Sequence, residues 1–228
     1  MPLSANKVKK NELINAELKT LYEEHTQKFL TAWSEAFGEM DPGRINEFGI
    51  IDTKRYDPEN GILFIGRETN GWSDEDYANG CLFRGWLCDI SRNGIKGHGH
   101  ISRHPNMWYN LGRWILLLQN PETPLEVLSN LKAEAIDALG TIAFTNINKV
   151  RGKKRVGKEY YALANTDIAK KMIQQEIRIL RPKTIVACGT KWPVESLLSD
   201  GDCKLICMNH PGARKSSRVM LQELKAQI

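Results

Sequence analysis

The stretch Ile62-Leu63-Phe64-Ile65-Gly66-Arg67-Glu68-Thr69-Asn70-Gly71-Trp72 decides how the chain is read. Its first four residues are a continuous apolar run, the pattern of a strand buried on both faces. Gly66 breaks the run, and a turn follows that carries two charges, an amide and an indole. In an open α/β sheet, ligands sit in the crevice beyond the carboxyl ends of the strands. Arg67, Glu68 and Asn70 fall there. The plain alternative is a strand end whose polar residues face solvent. Three later strands that also end in unusual polar chemistry give the functional reading its weight.

Working outward, Asp57-Pro58-Glu59-Asn60-Gly61 is a strong turn signal before the strand. Upstream, Ile14, Leu18, Leu21, Tyr22, Phe29, Leu30, Trp33 and Phe37 recur at steps near three and four, which predicts a helix over 9–38 with one apolar face. Downstream, residues 73–106 read as an irregular, glycine-containing loop. His98, His100 and His104 lie there without Asp or Cys partners beside them, so solvated or phosphate-contacting histidines fit better than a metal site. Helices are expected over 108–119, 125–139, 164–180, about 192–198 and about 217–226. Between them lie three more apolar runs: Thr141–Asn146, Thr184–Cys188 and Lys204–Met208.

Strands alternating with helices predict a three-layer α/β/α sandwich with a mostly parallel four-stranded core sheet. The expected division is an N-terminal helical extension packing on the core over 1–60 and an α/β domain over 61–228. The length of 228 residues, 41% apolar and 26% charged, suits a globular protein of that size. The N-terminus has no apolar signal core and no run approaches a membrane span, so a cytoplasmic protein with no membrane partner is expected. Five cysteines, an odd number with no Cys-x-x-Cys, argue against a disulfide framework. No metal or other cofactor is expected, and Gly66 lacks the spacing of a dinucleotide fingerprint.

The net charge of +5 permits an anionic partner without specifying nucleic acid. More local is the run Lys149-Val150-Arg151-Gly152-Lys153-Lys154-Arg155-Val156-Gly157-Lys158, with six basic residues in ten. It directly follows a strand's carboxyl end. A solvated loop and a phosphate-backbone contact weigh evenly there.

The strand ends offer Glu68, Asn146, the Gly189 turn and His210. In order and spacing this set resembles the uracil-DNA glycosylase superfamily over roughly residues 61–225. In that family a motif such as Gly-Gln-Asp-Pro-Tyr ends the first core strand; Gly66-Arg67-Glu68-Thr69-Asn70 takes that place. Gly80-Cys81-Leu82-Phe83 is similar to the family loop whose Phe stacks on the flipped base. Asn146 matches the Asn that reads the base edge, and His210-Pro211-Gly212 matches the His-Pro-Ser that opens a loop wedging into the duplex, here Ala213 to Ser217.

The resemblance implies a DNA glycosylase that acts on double- or single-stranded DNA, as a monomer. The chemistry it needs can be stated on its own terms. An extruded base needs an aromatic platform, for which Phe83 stands, and a donor–acceptor pair, for which the Asn146 carboxamide stands. Breaking the glycosidic bond puts positive charge on the sugar and negative charge on the base. Glu68 is the candidate to stabilise the cation and orient water, and His210 to donate to the base carbonyl. Arg67, Asn70 and Trp72 would line the base pocket. Lys149, Arg151, Lys153, Lys154, Arg155, Arg214 and Lys215 would meet phosphates.

The departures bear on the substrate. Glu68 is one methylene longer than the family Asp, and no proline follows it. In a second branch, with Gly-Glu-Ala-Pro-Gly, the acid stands one residue earlier, where this chain has Arg67. The family Tyr that blocks C5-substituted bases is replaced by Asn70. That opens the pocket to a hydroxymethylated or glucosylated cytosine of phage DNA, an antiviral role. An ordinary uracil repair enzyme blocked by Trp72 weighs equally. Two other readings stay open: a catalytically inactive DNA-binding module of the same fold, and a hydrolase of free nucleosides.

Overall fold

The computed structural model of the chain describes residues 3–38, 44–68, 83–96, 105–150, 152, 156–198 and 203–228. Its centre is one five-stranded mixed sheet. The strands are β1 (Gly49–Ile50), β2 (Ile62–Gly66), β3 (Ala143–Asn146), β4 (Thr184–Cys188) and β5 (Lys204–Met208), in the order β1-β3-β2-β4-β5. The opening apolar run is β2, in the middle, with all five residues buried. It pairs parallel with β3 on one side and β4 on the other, and β4 pairs parallel with β5. The chain therefore winds outward from β2 in both directions, which makes the crevice beyond β2 and β4 a switch point.

The sheet has one strand more than the sequence pattern predicts. Two-residue β1 runs antiparallel to β3 at the edge, too short to leave a period in the sequence. It belongs to the segment expected as an N-terminal extension. That segment shares one sheet and one core with the rest of the chain.

The reason lies in α1 (Ala5–Phe37), which starts at the Ser4 cap and ends at Gly38 in the left-handed conformation. Asn11, Asn15, Leu18, Tyr22, His25, Phe29 and Trp33 are all buried, so the inward face includes polar positions that hydrophobic periodicity does not mark. Asn15 pairs with the Ile50 backbone as a strand would: its Nδ2 donates to the Ile50 carbonyl at 3.0 Å and its Oδ1 accepts from the Ile50 N–H at 2.9 Å. A side chain thus closes a sheet edge that would otherwise present open backbone groups.

The other helices are α2 (Phe83–Asn93), α3 (Asn106–Gln119), α4 (Leu125–Asn130), α5 (Ala133–Ala138), α6 (Lys158–Ala164), α7 (Asp167–Leu180), α8 (Lys191–Glu195) and α9 (Ser217–Lys225). Three expectations change. The helix predicted over 125–139 is α4 and α5, interrupted at Leu131, which is extended. The irregular stretch over 73–106 contains α2, so Phe83 opens a helix. The helix predicted from Ala164 begins at Asp167, because the Thr166 side chain accepts from the Ala169 N–H as an N-cap.

Helices cover both faces of the sheet. Alternation along β3 shows it: Phe144 packs on Phe83 of α2, with ring centroids 5.2 Å apart, while Thr145, pointing the other way, meets Glu176 of α7. Among the described residues, no helix is long and apolar enough to cross a membrane.

Candidate functional site

The carboxyl ends of the four parallel strands are stitched into one row. Beyond β2 and β3 the ladder continues, with the Ile147 N–H donating to the Gly66 carbonyl at 3.0 Å and the Asn148 N–H to the Arg67 carbonyl at 2.9 Å. From β2 to β4, Arg67 Nε donates to the Gly189 carbonyl at 2.9 Å and Thr190 Oγ1 to the Ile65 carbonyl at 2.8 Å. From β4 to β5, the Gly189 N–H donates to the Met208 carbonyl at 2.7 Å. Every candidate group on these ends is thereby fixed relative to its neighbours.

Gly66 stands opposite Asn146 in register. A Cβ on Gly66 would lie 2.3 Å from Asn146 Oδ1 and 3.1 Å from Phe144 Cζ. The glycine lets the Asn146 carboxamide lie across the end of β2. Phe83 is on the same face, in an aromatic cluster with Phe144 and Phe48 at 5.2 Å, Trp86 at 5.7 Å and Trp108 at 6.3 Å. Phe83 is 3% exposed, so it packs the core and, against the expectation of a stacking platform, presents no open ring face.

Glu68 sits on the β3 side of the row, where Asn148 Nδ2 approaches its Oε2 at 3.4 Å. A Cβ on Gly152 would lie 2.3 Å from the Glu68 Cδ. Only glycine admits the carboxylate there, so Gly152 of the basic run packs against the candidate acid. Asn148 is in turn held by an Asx turn, its Oδ1 accepting from the Val150 N–H at 3.0 Å.

His210 follows β5 in a tight turn closed by the Ala213 N–H on the His210 carbonyl at 2.8 Å. The Gly212 N–H donates to His210 Nδ1 at 3.1 Å. An Nδ1 that accepts leaves the proton of a neutral imidazole on Nε2. Burial, and then the positive charge of Arg67, hold the ring's pKa down at about 4. At neutral pH His210 is an uncharged Nε2–H donor. The turn is anchored from below: Asn110 Nδ2 of α3 donates to the Pro211 carbonyl at 2.8 Å, Ser217 Oγ donates to Asn110 Oδ1 at 2.5 Å, and Arg113 Nη1 donates to Ser217 Oγ at 3.2 Å.

Lys149 corrects the sequence reading. As the first residue of a basic run it was expected to meet phosphate, yet its side chain is fully buried. Its ammonium donates to Thr145 Oγ1 at 2.6 Å, to the Asn146 carbonyl at 2.6 Å and to Glu176, the shortest approach being 2.7 Å. All three N–H donors are engaged. Burial pushes its pKa down against the pull of Glu176. No phosphate can reach it.

Arg214 and Lys215 lie exposed beyond the His210 turn, as a backbone contact requires, with Lys215 paired to Glu223 at 2.5 Å. Asn70, Trp72, Arg151, Lys153, Lys154 and Arg155 lie outside the described residues, as do Gly80 to Leu82 and the three loop histidines.

Tyr160 of α6 is a neighbour that sequence reasoning missed. It is 2% exposed, and its hydroxyl has no hydrogen-bond partner among the described residues. Burial raises its pKa, and the charges of Arg67 and Glu68 both act on it. In an amphipathic helix a tyrosine reads as packing, and nothing in the sequence sets it beside β2. Among the described residues, no three His, Cys, Asp or Glu side chains gather as a metal site would need.

No protein-family model, curated protein or solved structure compared with this chain matches it. The functional reading therefore rests on the site itself.

Proposed function

We propose that this chain is a DNA glycosylase, similar to the uracil-DNA glycosylase superfamily, that hydrolyses the N-glycosidic bond of a flipped pyrimidine and leaves an abasic site. The observation that carries the reading is the His210 ring beyond β5, whose Nδ1 accepts from the Gly212 N–H and so leaves Nε2 to donate, with burial and Arg67 favouring its neutral form. A donor that is uncharged at working pH suits a developing base anion, because it needs no partner carboxylate and yields no proton in the ground state.

The remaining groups take complementary parts. As the C1′–N bond breaks, its electron pair leaves with the base, whose carbonyl oxygen accepts from His210 Nε2–H. The sugar becomes cationic, and Glu68 faces that charge. Water adds to C1′ and its proton passes to Glu68, which gives it up through solvent to the ring nitrogen of the departing base and is restored as the carboxylate. Asn146, held flat over Gly66, offers a donor and an acceptor to the base edge. Arg214 and Lys215 meet the DNA backbone. Asn70 in place of the family tyrosine would admit a C5-substituted cytosine of phage DNA, a defence role, and weighs evenly against uracil repair.

Purified protein would be incubated with duplexes carrying uracil and with phage DNA carrying glucosylated hydroxymethylcytosine, and abasic sites read by alkaline cleavage. Release from modified DNA alone supports the open pocket; release of uracil alone makes it a repair enzyme. Tight binding with no release from either would leave the non-catalytic module.

A further inference from the structure

The base-reading residue Asn146 is fixed from the face of the sheet opposite its own side chain. Its carboxamide lies over Gly66 on the α2 face. Its main-chain carbonyl is held at 2.6 Å by the Lys149 ammonium. Lys149 also bonds the hydroxyl of Thr145, which donates at 3.0 Å to Glu176 Oε2. Glu176 accepts a further hydrogen bond at 2.5 Å from the Tyr22 hydroxyl of α1. Tyr22, Thr145, Lys149 and Glu176 are all buried. One relay thus runs from the N-terminal helix through α7 to the end of β3.

A network this saturated exceeds what packing requires. Glu176 receives Tyr22, Thr145 and Lys149, and the Lys149 side chain turns back on its own strand to reach the Asn146 carbonyl. A charged pair in a low-dielectric interior is a directional restraint, because each lost contact leaves a buried polar group unsatisfied. A substrate-reading amide needs such a restraint, since small misplacement of a positioned group costs large factors in rate. The ladder with β2 fixes the main chain of β3 on one side, whereas on the other side β1 pairs with it over two positions and stops short of Asn146.

We infer that Tyr22, Thr145, Lys149 and Glu176 form a positioning relay that sets the plane of the Asn146 carboxamide, so that helix α1 takes part in choosing the base. The inference rests on the glycosylase reading, because it assigns Asn146 the base edge. It makes Lys149, the residue expected at the DNA backbone, a base-selecting residue that never touches DNA.

The experiment compares full-length wild-type protein with Thr145→Val, Thr145→Ser and Tyr22→Phe, well below each melting temperature. The readouts are single-turnover base release from the preferred duplex and from one with a competing pyrimidine, and affinity for undamaged duplex. Thr145→Val keeps the side-chain shape and removes the hydroxyl, and the preference between the two bases is expected to fall by about ten-fold. Thr145→Ser restores it, and duplex affinity is unchanged in every variant. Tyr22→Phe, at the far end of the relay, loses less of the preference and guards against a Val variant that fails to fold. Variants that melt earlier but keep the wild-type preference would overturn the relay alone. A wild-type protein that releases no base from any duplex would overturn the glycosylase reading, and the relay with it.

Discussion

The ends of β3 and β5 carry the two groups assigned to the base, and they are held in opposite ways. Asn146 is held by charge. Lys149 and Glu176, 0% and 1% exposed, face each other at 2.7 Å directly behind it. His210 is held by neutral groups. Its Nδ1 takes a backbone N–H, and its turn hangs on Asn110 and Ser217. The cation that steadies them, Arg113, has no carboxylate partner among the described residues; its Nη2 donates to the Ser129 carbonyl at 2.7 Å, and its carbon Cζ stands 5.8 Å from the Tyr109 ring. The difference follows from the task. A carboxamide has no titration to disturb, so a buried ion pair can stand behind it. An imidazole that must stay neutral would gain a proton beside a carboxylate, and the carboxylate at this turn, Glu223, is engaged by Asn209 and Lys215.

The largest test of this contrast is on stability. Glu176→Leu strands the Lys149 ammonium in the core and is expected to cost about 3–5 kcal/mol in denaturant unfolding. Adding Lys149→Met removes the stranded charge, and the double variant should be more stable than Glu176→Leu. If it is not, the pair is not the element that steadies β3.

Next is the chemistry. His210→Ala or Glu68→Gln is expected to slow base release by roughly 100- to 1,000-fold with little change in melting temperature. A rate drop accompanied by equal loss of folding would make these residues structural.

On the neutral side, Asn110→Ala leaves Pro211 and Ser217 without their partner and should cost about 1–3 kcal/mol. Thermal melts would show this, and slower release at full folding would tie α3 to the position of His210.

The pH dependence sharpens the comparison further. The folded His210 pKa of about 4 lies below the ordinary value of 6.5. Between those values the unfolded chain binds the proton and the folded chain does not. The stabilisation is complete above the ordinary value and is lost as pH falls through that window toward 4. Base release should hold down to about pH 5 and then fall. Arg67→Met removes one of the two causes and moves the imidazole titration upward, part of the way. An NMR titration of the His210 ring reads this directly, and an unchanged midpoint would separate Arg67 from the ring.

The smallest effect is at Tyr160. Its hydroxyl is buried without a partner among the described residues, so Tyr160→Phe should raise stability, by about 1 kcal/mol. A loss of stability would mean that the hydroxyl has a partner in solution.

Much of the frame was legible. The runs at 62–65, 141–146, 184–188 and 204–208 read as strands because each is short, apolar and bounded by turn residues, and those features are local; the second is shorter in the fold, beginning at Ala143. The far end of α1, expected near residue 38, falls at Phe37, whereas its start, expected at residue 9, lies at Ala5 after the Ser4 cap. The edge strand β1 was not legible, since Gly49 and Ile50 acquire strand character only by pairing with Phe144 and Ala143. The polar positions of α1 were hidden for the same reason: Asn15 is buried because Ile50 offers it two backbone groups.

The sequence by itself determined which residues could carry chemistry: Glu68, Asn146 and His210 each follow an apolar run that must be buried. Only the tertiary structure decided what each became. Lys149 lies in a run that reads as solvated, and it is buried because Glu176, 27 residues further on, meets it in the core. His210 is neutral because a backbone N–H two residues away, the burial of the ring and an arginine from another strand converge on it. Burial of an apolar run is set by composition over a few residues, whereas the protonation and reach of a polar group are set by partners that only folding brings near.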